Sequence, residues 1–199
     1  MAFTGFRGTA NGSVQTSYTD QPGVAVAGML AFASDYNLVD SALVATAAGI
    51  PCGAGVQLVT NASTEPGNLQ VPNTLAQTPA ATNLTIADFG GIVVFDEGSQ
   101  SDTNGVPGWA YQRNARVLRN RRSGGRVYVN VNSNDTITVG SSTVNWVISG
   151  GSDLKYAAGQ FTGAALAGNA TVGYSVAITT ANYVTNGVAS GIAMIEFTG

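Results

Sequence analysis

The stretch of sequence that decides the fold covers residues 115–149 and reads ARVLRNRRSGGRVYVNVNSNDTITVGSSTVNWVIS. Runs rich in Val, Ile, Thr and aromatic residues alternate here with turn-forming Gly, Asn, Asp and Ser, a pattern typical of consecutive strands. Val127, Val129 and Val131 share one face of a strand, because successive side chains point to opposite faces. The pattern predicts a small antiparallel meander with strands at 115–119, 126–131, 136–139 and 143–149.

Strand signals continue along the rest of the chain, where Gly, Asn, Asp or Pro interrupts apolar runs about every eight to twelve residues. Further strands are expected at 24–29, 56–60, 91–95, 171–178 and 191–198. The segment 35–47 fits a helix with Ser34 as its N-cap, and a strand through 38–44 fits equally well. The predicted fold class is all-β: an antiparallel β-sandwich, jelly-roll or barrel-like fold with at most one short helix.

Residues 21–199 are expected to form a single β domain, since a chain of 199 residues can bury a sizeable core without a metal or disulfide. Within it, 113–149 is the arginine-bearing β-meander. The segment 61–86 is expected to be a loop insertion, because it contains three prolines and shows no apolar period. The single cysteine, Cys52, permits no internal bridge and is expected to be a small buried apolar residue.

Residues 1–20 are polar and rich in Gly and Thr, with Phe3, Phe6 and Tyr18 spaced along them. A flexible N-terminal arm that places aromatic anchors on a neighbouring molecule has this composition, and so does a frayed terminus. The N-terminus lacks the apolar core of a signal peptide. No apolar run approaches the ~18 residues that span a bilayer, so no membrane partner is expected.

The basic charge of the chain is concentrated in one stretch. Six of its eight Lys and Arg residues lie there, with no Asp or Glu among them: Arg113, Arg116, Arg119, Arg121, Arg122 and Arg126. The remainder is strongly acidic, so the stretch favours docking onto an acidic protein surface or a neighbouring copy. A sequence pI of about 4.6 argues against direct nucleic-acid binding. An ordinary solvated hairpin is the competing interpretation.

The chain contains no histidine, which excludes Ser-His-Asp and Cys-His nucleophile systems and most zinc sites. The only lysine, Lys155, does not follow a phosphate-binding glycine loop. We therefore expect no cofactor, no metal site and no enzymatic activity. Only 10% of residues are charged, which fits a protein that lives in an assembly.

Four short motifs appear in a characteristic order: Gln21-Pro22-Gly23-Val24-Ala25-Val26-Ala27-Gly28-Met29, then Gly49-Ile50-Pro51-Cys52-Gly53-Ala54-Gly55-Val56, then Arg116-Val117-Leu118-Arg119 ahead of Gly125-Arg126-Val127-Tyr128-Val129-Asn130-Val131, then Gly191-Ile192-Ala193-Met194-Ile195-Glu196-Phe197. In that order they resemble the capsid cement, or decoration, proteins of tailed double-stranded DNA bacteriophages. The chain departs from the family pattern at Cys52 and Tyr128, in the insert at 61–86, and in the extra arginines Arg121 and Arg122.

The resemblance implies a mostly β, jelly-roll or barrel-like protein on the outer surface of the virion capsid, made in the host cytoplasm. Its partners would be the major capsid protein, whose adjacent subunits it would bridge against the pressure of packaged DNA, and itself as a homodimer or homotrimer. The expected interface residues are Phe3, Phe6, Arg7, Tyr18, Arg113, Arg116, Arg119, Arg121, Arg122 and Arg126.

The alternative is a virion receptor- or carbohydrate-binding β module. Such a module would expose aromatic residues around a polar cleft, for which Trp109, Tyr111 and Trp146 are candidates. Packing in the core is the stronger interpretation of Trp109 and Trp146.

Overall fold

The computed structural model describes residues 25–31, 39–60, 74–96, 99–101, 107–119, 124–132, 135–153, 155–185 and 191–198. Their regular elements are, in chain order, β1 Val39–Val44, β2 Ile50–Pro51, β3 Gly55–Thr60, β4 Thr74–Gln77, a 3₁₀ turn Ile86–Asp88, β5 Phe89–Val93, β6 Gln100–Ser101, β7 Pro107–Trp109, β8 Asn114–Arg119, β9 Arg126–Asn130, β10 Thr143–Ser149, β11 Phe161–Thr162, β12 Tyr174–Tyr183 and β13 Ile192–Phe197. The all-β prediction is confirmed. Within these ranges no helix is long and apolar enough to cross a membrane.

Five strands close into a barrel in the order β1-β4-β3-β5-β8, which confirms the barrel-like form of the prediction. All neighbours are antiparallel except β1 and β4, which run parallel. Small side chains fill the interior, among them the fully buried Val44, Val56, Ala76 and Val117. A five-stranded barrel encloses little space, so alanine and valine fit where larger residues would not.

The second layer is a sheet in the order β11-β10-β12-β13-β9. Its inner face packs against the outer side of the barrel, where Phe89 and Leu118 join one core with Trp146 and Phe197 of the sheet. Phe89 meets Trp146 edge to face, with ring centroids 5.1 Å apart. Aromatic rings bury large apolar areas, so these contacts contribute strongly to the packing between the layers. A small third sheet, β2-β7-β6, borders the barrel core through Ile50 and Trp109.

Several predicted strands are confirmed, including those at 56–60, 143–149 and 191–198. The ambiguous segment 38–44 contains β1, so its strand interpretation is right. The strands predicted at 91–95 and 171–178 overlap β5 and β12 with displaced ends.

The predicted meander is wrong. β8 pairs with β1 and β5 in the barrel, whereas β9 pairs with β13 in the other sheet. Val117 of β8 lies in the barrel interior and Leu118 in the core between the layers, so β8 is buried on both faces at this end, whereas Asn114 and Arg116 are exposed. The strand predicted at 136–139 is also absent, because turns around Thr138 satisfy its backbone groups.

Two further predictions need correction. The described part of 24–29 is a turn, in which Met29 N donates to Val26 O at 3.0 Å and Gly28 adopts a φ of 83°. The loop predicted at 61–86 contains β4, which has one β-branched residue, Thr74, and completes the barrel between β1 and β3.

Candidate functional site

Three of the predicted interface arginines form ion pairs within the chain. Arg116 Nε lies 3.4 Å from Asp96 Oδ2, Arg119 Nε donates to Asp40 Oδ2 at 2.9 Å, and Arg126 Nη2 lies 3.0 Å from Glu196 Oε2. The acidic body therefore neutralises much of the arginine stretch from within, which sequence reasoning missed. Each pair is partly exposed and can exchange partners at modest cost.

The Arg119–Asp40 pair lies at one end of the barrel. Ala42 and Val44 of β1 and Ala115 and Val117 of β8 fill the barrel interior. By two-residue alternation, Asp40 and Arg119 extend these two inward-facing rows at the same end, since Asp40 opposes Val117 in the register. The ion pair thus covers the apolar interior at that end with a charged, hydrogen-bonded contact.

The remaining predicted interface residues are Arg113 and six residues outside the described ranges. Arg113 precedes β8, is exposed, and forms no ion pair with the carboxylates that the structure describes. Phe3, Phe6, Arg7, Tyr18, Arg121 and Arg122 lie outside the described residues. The prediction that these residues bind a partner stays a prediction.

Three of the sequence motifs meet at one junction between the barrel and the five-stranded sheet. Gly28 N donates to Tyr128 O at 2.7 Å, and Tyr128 N donates to Met29 O at 3.0 Å. Asn130 binds the second motif twice, through its backbone N to Gly53 O at 3.1 Å and through Nδ2 to Cys52 O at 2.6 Å. Backbone hydrogen bonds of this density join the two layers into one body.

The junction requires glycine because the segments that cross there are in van der Waals contact. A Cβ added to Gly28 would lie 2.7 Å from Cys52 Cβ, and one added to Gly53 would lie 2.8 Å from Ala27 Cβ. Both glycines also have positive φ, at 83° and 79°, which L side chains adopt only with strain. A side chain at either position would push the layers apart.

The family model described as structural cement protein (E217 gp24/Pam3 gp6) matches residues 14–198. The chain belongs to this phage cement family. The resemblance drawn from the motifs is thereby confirmed. A comparison with curated proteins finds no match.

The cement protein's fold is also found in a solved structure from the capsid of Myoviridae phage XM1. The two chains share 17% sequence identity with a TM-score of 0.50, and the alignment covers 100% of this chain and 98% of the other. At this identity, the likeness shows a shared fold.

The tryptophans of the cement protein are core residues, as the stronger interpretation predicted. Trp146 is fully buried, and its ring packs on Gly55, where a Cβ would come within 2.6 Å. Trp109 is 7% exposed, and its Nε1 donates to Val94 O at 2.9 Å. Neither can form the exposed platform of a carbohydrate-binding module, which leaves Tyr111, 49% exposed, as the one candidate on the described surface.

Cys52 is buried at the junction, where its Sγ faces Val94 O at 3.7 Å. Burial raises the pKa of the Cys52 thiol to about 12, while a hydrogen bond to Ser99 acts in the opposite direction. The prediction of a small buried residue is confirmed. Across the described ranges, no three His, Cys, Asp or Glu side chains are grouped so that they could hold a metal ion.

Proposed function

We propose that the protein binds the outer surface of a phage capsid and bridges adjacent major capsid protein subunits, which stabilises the head against the pressure of packaged DNA. The observation that supports this most strongly is the family match over residues 14–198. A structural cement protein holds other subunits together, and the packaged DNA of a tailed phage exerts an outward pressure on the head.

The junction supports a mechanism of rigid bridging. If the barrel and the five-stranded sheet contact different capsid subunits, a force that separates those subunits acts across the junction. At the junction, this force is resisted by close-packed glycines and by short backbone hydrogen bonds, such as the one from Gly28 N to Tyr128 O at 2.7 Å. A stiff bridge transmits this load, whereas a flexible linker would let the subunits move before it resisted.

Affinity in this proposal comes from several moderate contacts. A standard interface buries about 800 Å² per partner, and contacting several fixed subunits at once raises the effective concentration of each further contact. We therefore propose that the protein assembles as a homodimer or homotrimer on the capsid. At the junction, Met29 and Phe95 are 45% and 37% exposed and offer apolar contact area for a capsid subunit.

Co-sedimentation with expanded capsids that lack the protein tests the proposal. Saturable binding at a fixed ratio per capsid subunit, followed by greater resistance to heat or osmotic shock, is the expected result. Absence of binding to both immature and expanded capsids would rule the function out.

The arginine contribution is tested separately with a triple variant, Arg113→Ser, Arg121→Ser and Arg122→Ser. The matched control is Arg116→Ser, which removes one charge whose guanidinium already pairs with Asp96. The triple variant should lose capsid occupancy at physiological salt, and the control should keep most of it. Equal capsid occupancy by the wild type, the control and the triple variant would show that Arg113, Arg121 and Arg122 do not contribute to the interface.

A further inference from the structure

The two ends of the barrel differ in how their charges are satisfied. At one end, Asp40 and Arg119 neutralise each other. Because β1 and β8 are antiparallel, the residues that follow β1 and those that precede β8 lie at the opposite end. This end comprises residues 45–48 and 110–113, and we call it the Tyr111 end. Its one charged side chain is that of Arg113, which is exposed and pairs with no carboxylate that the structure describes.

Backbone hydrogen bonds fix the turn at 110–113. Arg113 N donates to Ala110 O at 3.1 Å, which closes a four-residue turn. Gln112 N donates to Val44 O at 2.9 Å, and Val44 N donates to Arg113 O at 2.9 Å, so the turn is attached to β1 on both sides. Side chains on such a turn are already positioned, and a partner that binds them does not have to order the backbone.

Gln112 holds the third position of this turn with a φ of 60°. Within the described ranges it is the only residue other than glycine with a positive φ, a conformation that glycine adopts without strain. Its side chain is exposed. Backbone strain of this kind is concentrated at sites that bind or react. Folding alone favours glycine here, so the glutamine is better explained by a contact outside the chain.

The side chains of the Tyr111 end suit a protein interface. Tyr111 is 49% exposed, and tyrosine and arginine are among the residue types that most often dominate the binding energy of interfaces. The neighbouring Ala47 and Ala48 are exposed and small, which lets a partner surface approach the Tyr111 ring. All five residues from 110 to 114 are exposed, so the turn projects from the barrel. A projecting aromatic ring beside an unpaired arginine can insert into another surface.

We propose that the Tyr111 end docks on a major capsid protein subunit, with the Tyr111 ring on an apolar patch of that subunit and the Arg113 guanidinium paired with a carboxylate beside it. The inference rests on the proposed capsid docking and names the surface and the chemistry of one contact. Arg113 is the group that requires a carboxylate, and Gln112 presents an amide between the two anchors.

A second copy of the chain is the competing partner. A two-fold contact between two Tyr111 ends would place Arg113 against Arg113, and residues 45–48 and 110–113 contain no carboxylate to separate the two charges. Asp153 is exposed and has no ion pair in the described part of the chain, so Arg113 could reach it in a head-to-tail contact between copies. The capsid subunit is the stronger assignment because the chain belongs to a structural cement family, whose members act on a capsid.

Photocrosslinking identifies the partner directly. Tyr111 is replaced by p-benzoylphenylalanine, and the variant is bound at saturating concentration to expanded capsids that lack the protein and then irradiated. The expected result is a covalent product with the major capsid protein. A product with another copy alone would overturn the inference, and so would the absence of any product from capsids that the variant occupies.

Point variants measure the contribution of each side chain. Tyr111→Ala and Arg113→Gln should each weaken capsid binding about tenfold or more in co-sedimentation. The matched control is Lys155→Gln, which also removes an exposed positive charge without a carboxylate partner in the described part of the chain and should bind like the wild type. Binding by Arg113→Gln should depend less on salt than binding by the wild type. Gln112→Gly should unfold at the same temperature as the wild type or higher and yet bind capsids more weakly, which a purely structural role would not produce.

The outcomes separate this inference from the proposed function. Wild-type capsid affinity in either Tyr111→Ala or Arg113→Gln would overturn the inference while leaving the cement role intact. Dissociation of a free oligomer by either variant would assign the Tyr111 end to a second copy and make the capsid assignment wrong. Binding of a glycan that Tyr111→Ala abolishes would likewise assign the ring to a carbohydrate. Failure of the wild type to bind any capsid would remove both proposals.

Discussion

Replacing Gly53 with alanine should loosen the junction between the barrel and the sheet. An added Cβ would lie 2.8 Å from Ala27 Cβ and 2.9 Å from Gly28 N, in a residue whose φ is 79°. The left-handed conformation costs a non-glycine residue about 1–2 kcal/mol, and overpacking a close contact typically costs about 1–3 kcal/mol more. The free energy of unfolding should therefore fall by about 2–5 kcal/mol, which corresponds to a decrease in Tm of about 4–20 °C for a domain of this size.

Gly140→Ala is the matched control. Gly140 has nearly the same φ, 82°, but no atom lies within 4 Å of its added Cβ. It should lose only the conformational part, about 1–2 kcal/mol. The difference between the two variants, measured by urea and thermal unfolding, isolates the cost of forcing the chains apart at the junction.

Amide hydrogen exchange provides a local measurement of the same effect. The amides of Gly28 and Tyr128, which donate across the junction at 2.7 and 3.0 Å, should exchange faster in Gly53→Ala than in Gly140→Ala. Equal stability losses in the two variants, with unchanged exchange at these amides, would refute the argument that close packing at Gly53 holds the layers together.

Three further predictions concern the core and the charges. Unfolding exposes Cys52, whose thiol pKa is 9.0 when unperturbed and about 12 when folded. At a pH between these two values, the folded state keeps the thiol proton and the unfolded state loses it. The free energy of unfolding should fall by about 1.4 kcal/mol per pH unit in that window. In Cys52→Ser, the free energy of unfolding measured with urea should depend on pH with a slope that corresponds to one proton fewer, and an unchanged slope would contradict the assignment. A double-mutant cycle on Asp40 and Arg119 should give a coupling of about 0.5–1 kcal/mol, and no coupling would mean that the pair does not stabilise the barrel end. Trp146→Ala should cost about 3–5 kcal/mol in chemical unfolding, and a cost below about 1 kcal/mol would place the ring outside the core.

Two of the strands that could be predicted from sequence show the two-residue period of a strand with one face more buried than the other. In β13, Ala193, Ile195 and Phe197 are buried and the residues between them are half-buried, so the two-residue period is visible in the sequence. The same holds for β9, where Val127 and Val129 alternate with half-buried residues. A strand that is buried mainly on one face has a two-residue period in its sequence, and such periods predict the all-β class.

The pairing of these strands could not be predicted in the same way. Strand order depends on contacts distant in sequence, such as the hydrogen bond between Arg119 and Asp40, which are 79 positions apart. β8 alternates between exposed and buried residues from Asn114 to Val117, as a strand of a meander would, so no local signal predicts that it pairs with β1 and β5 in the barrel. The ion pairs were missed for the same reason, since arginines adjacent in sequence meet carboxylates from three different segments.

The location of the family motifs in the structure indicates which part of the protein they build. Gly28, Gly53, Tyr128 and Asn130 come from three of these motifs and bind one another at the junction, through backbone groups and one amide side chain. They therefore account for how the barrel is joined to the sheet, and they leave the choice of partner to other residues. Partner choice in the proposal then belongs to features outside the motifs, such as the exposed charge of Arg113. Variants at the junction should lower stability and capsid binding together, whereas variants at Arg113 should change capsid binding alone.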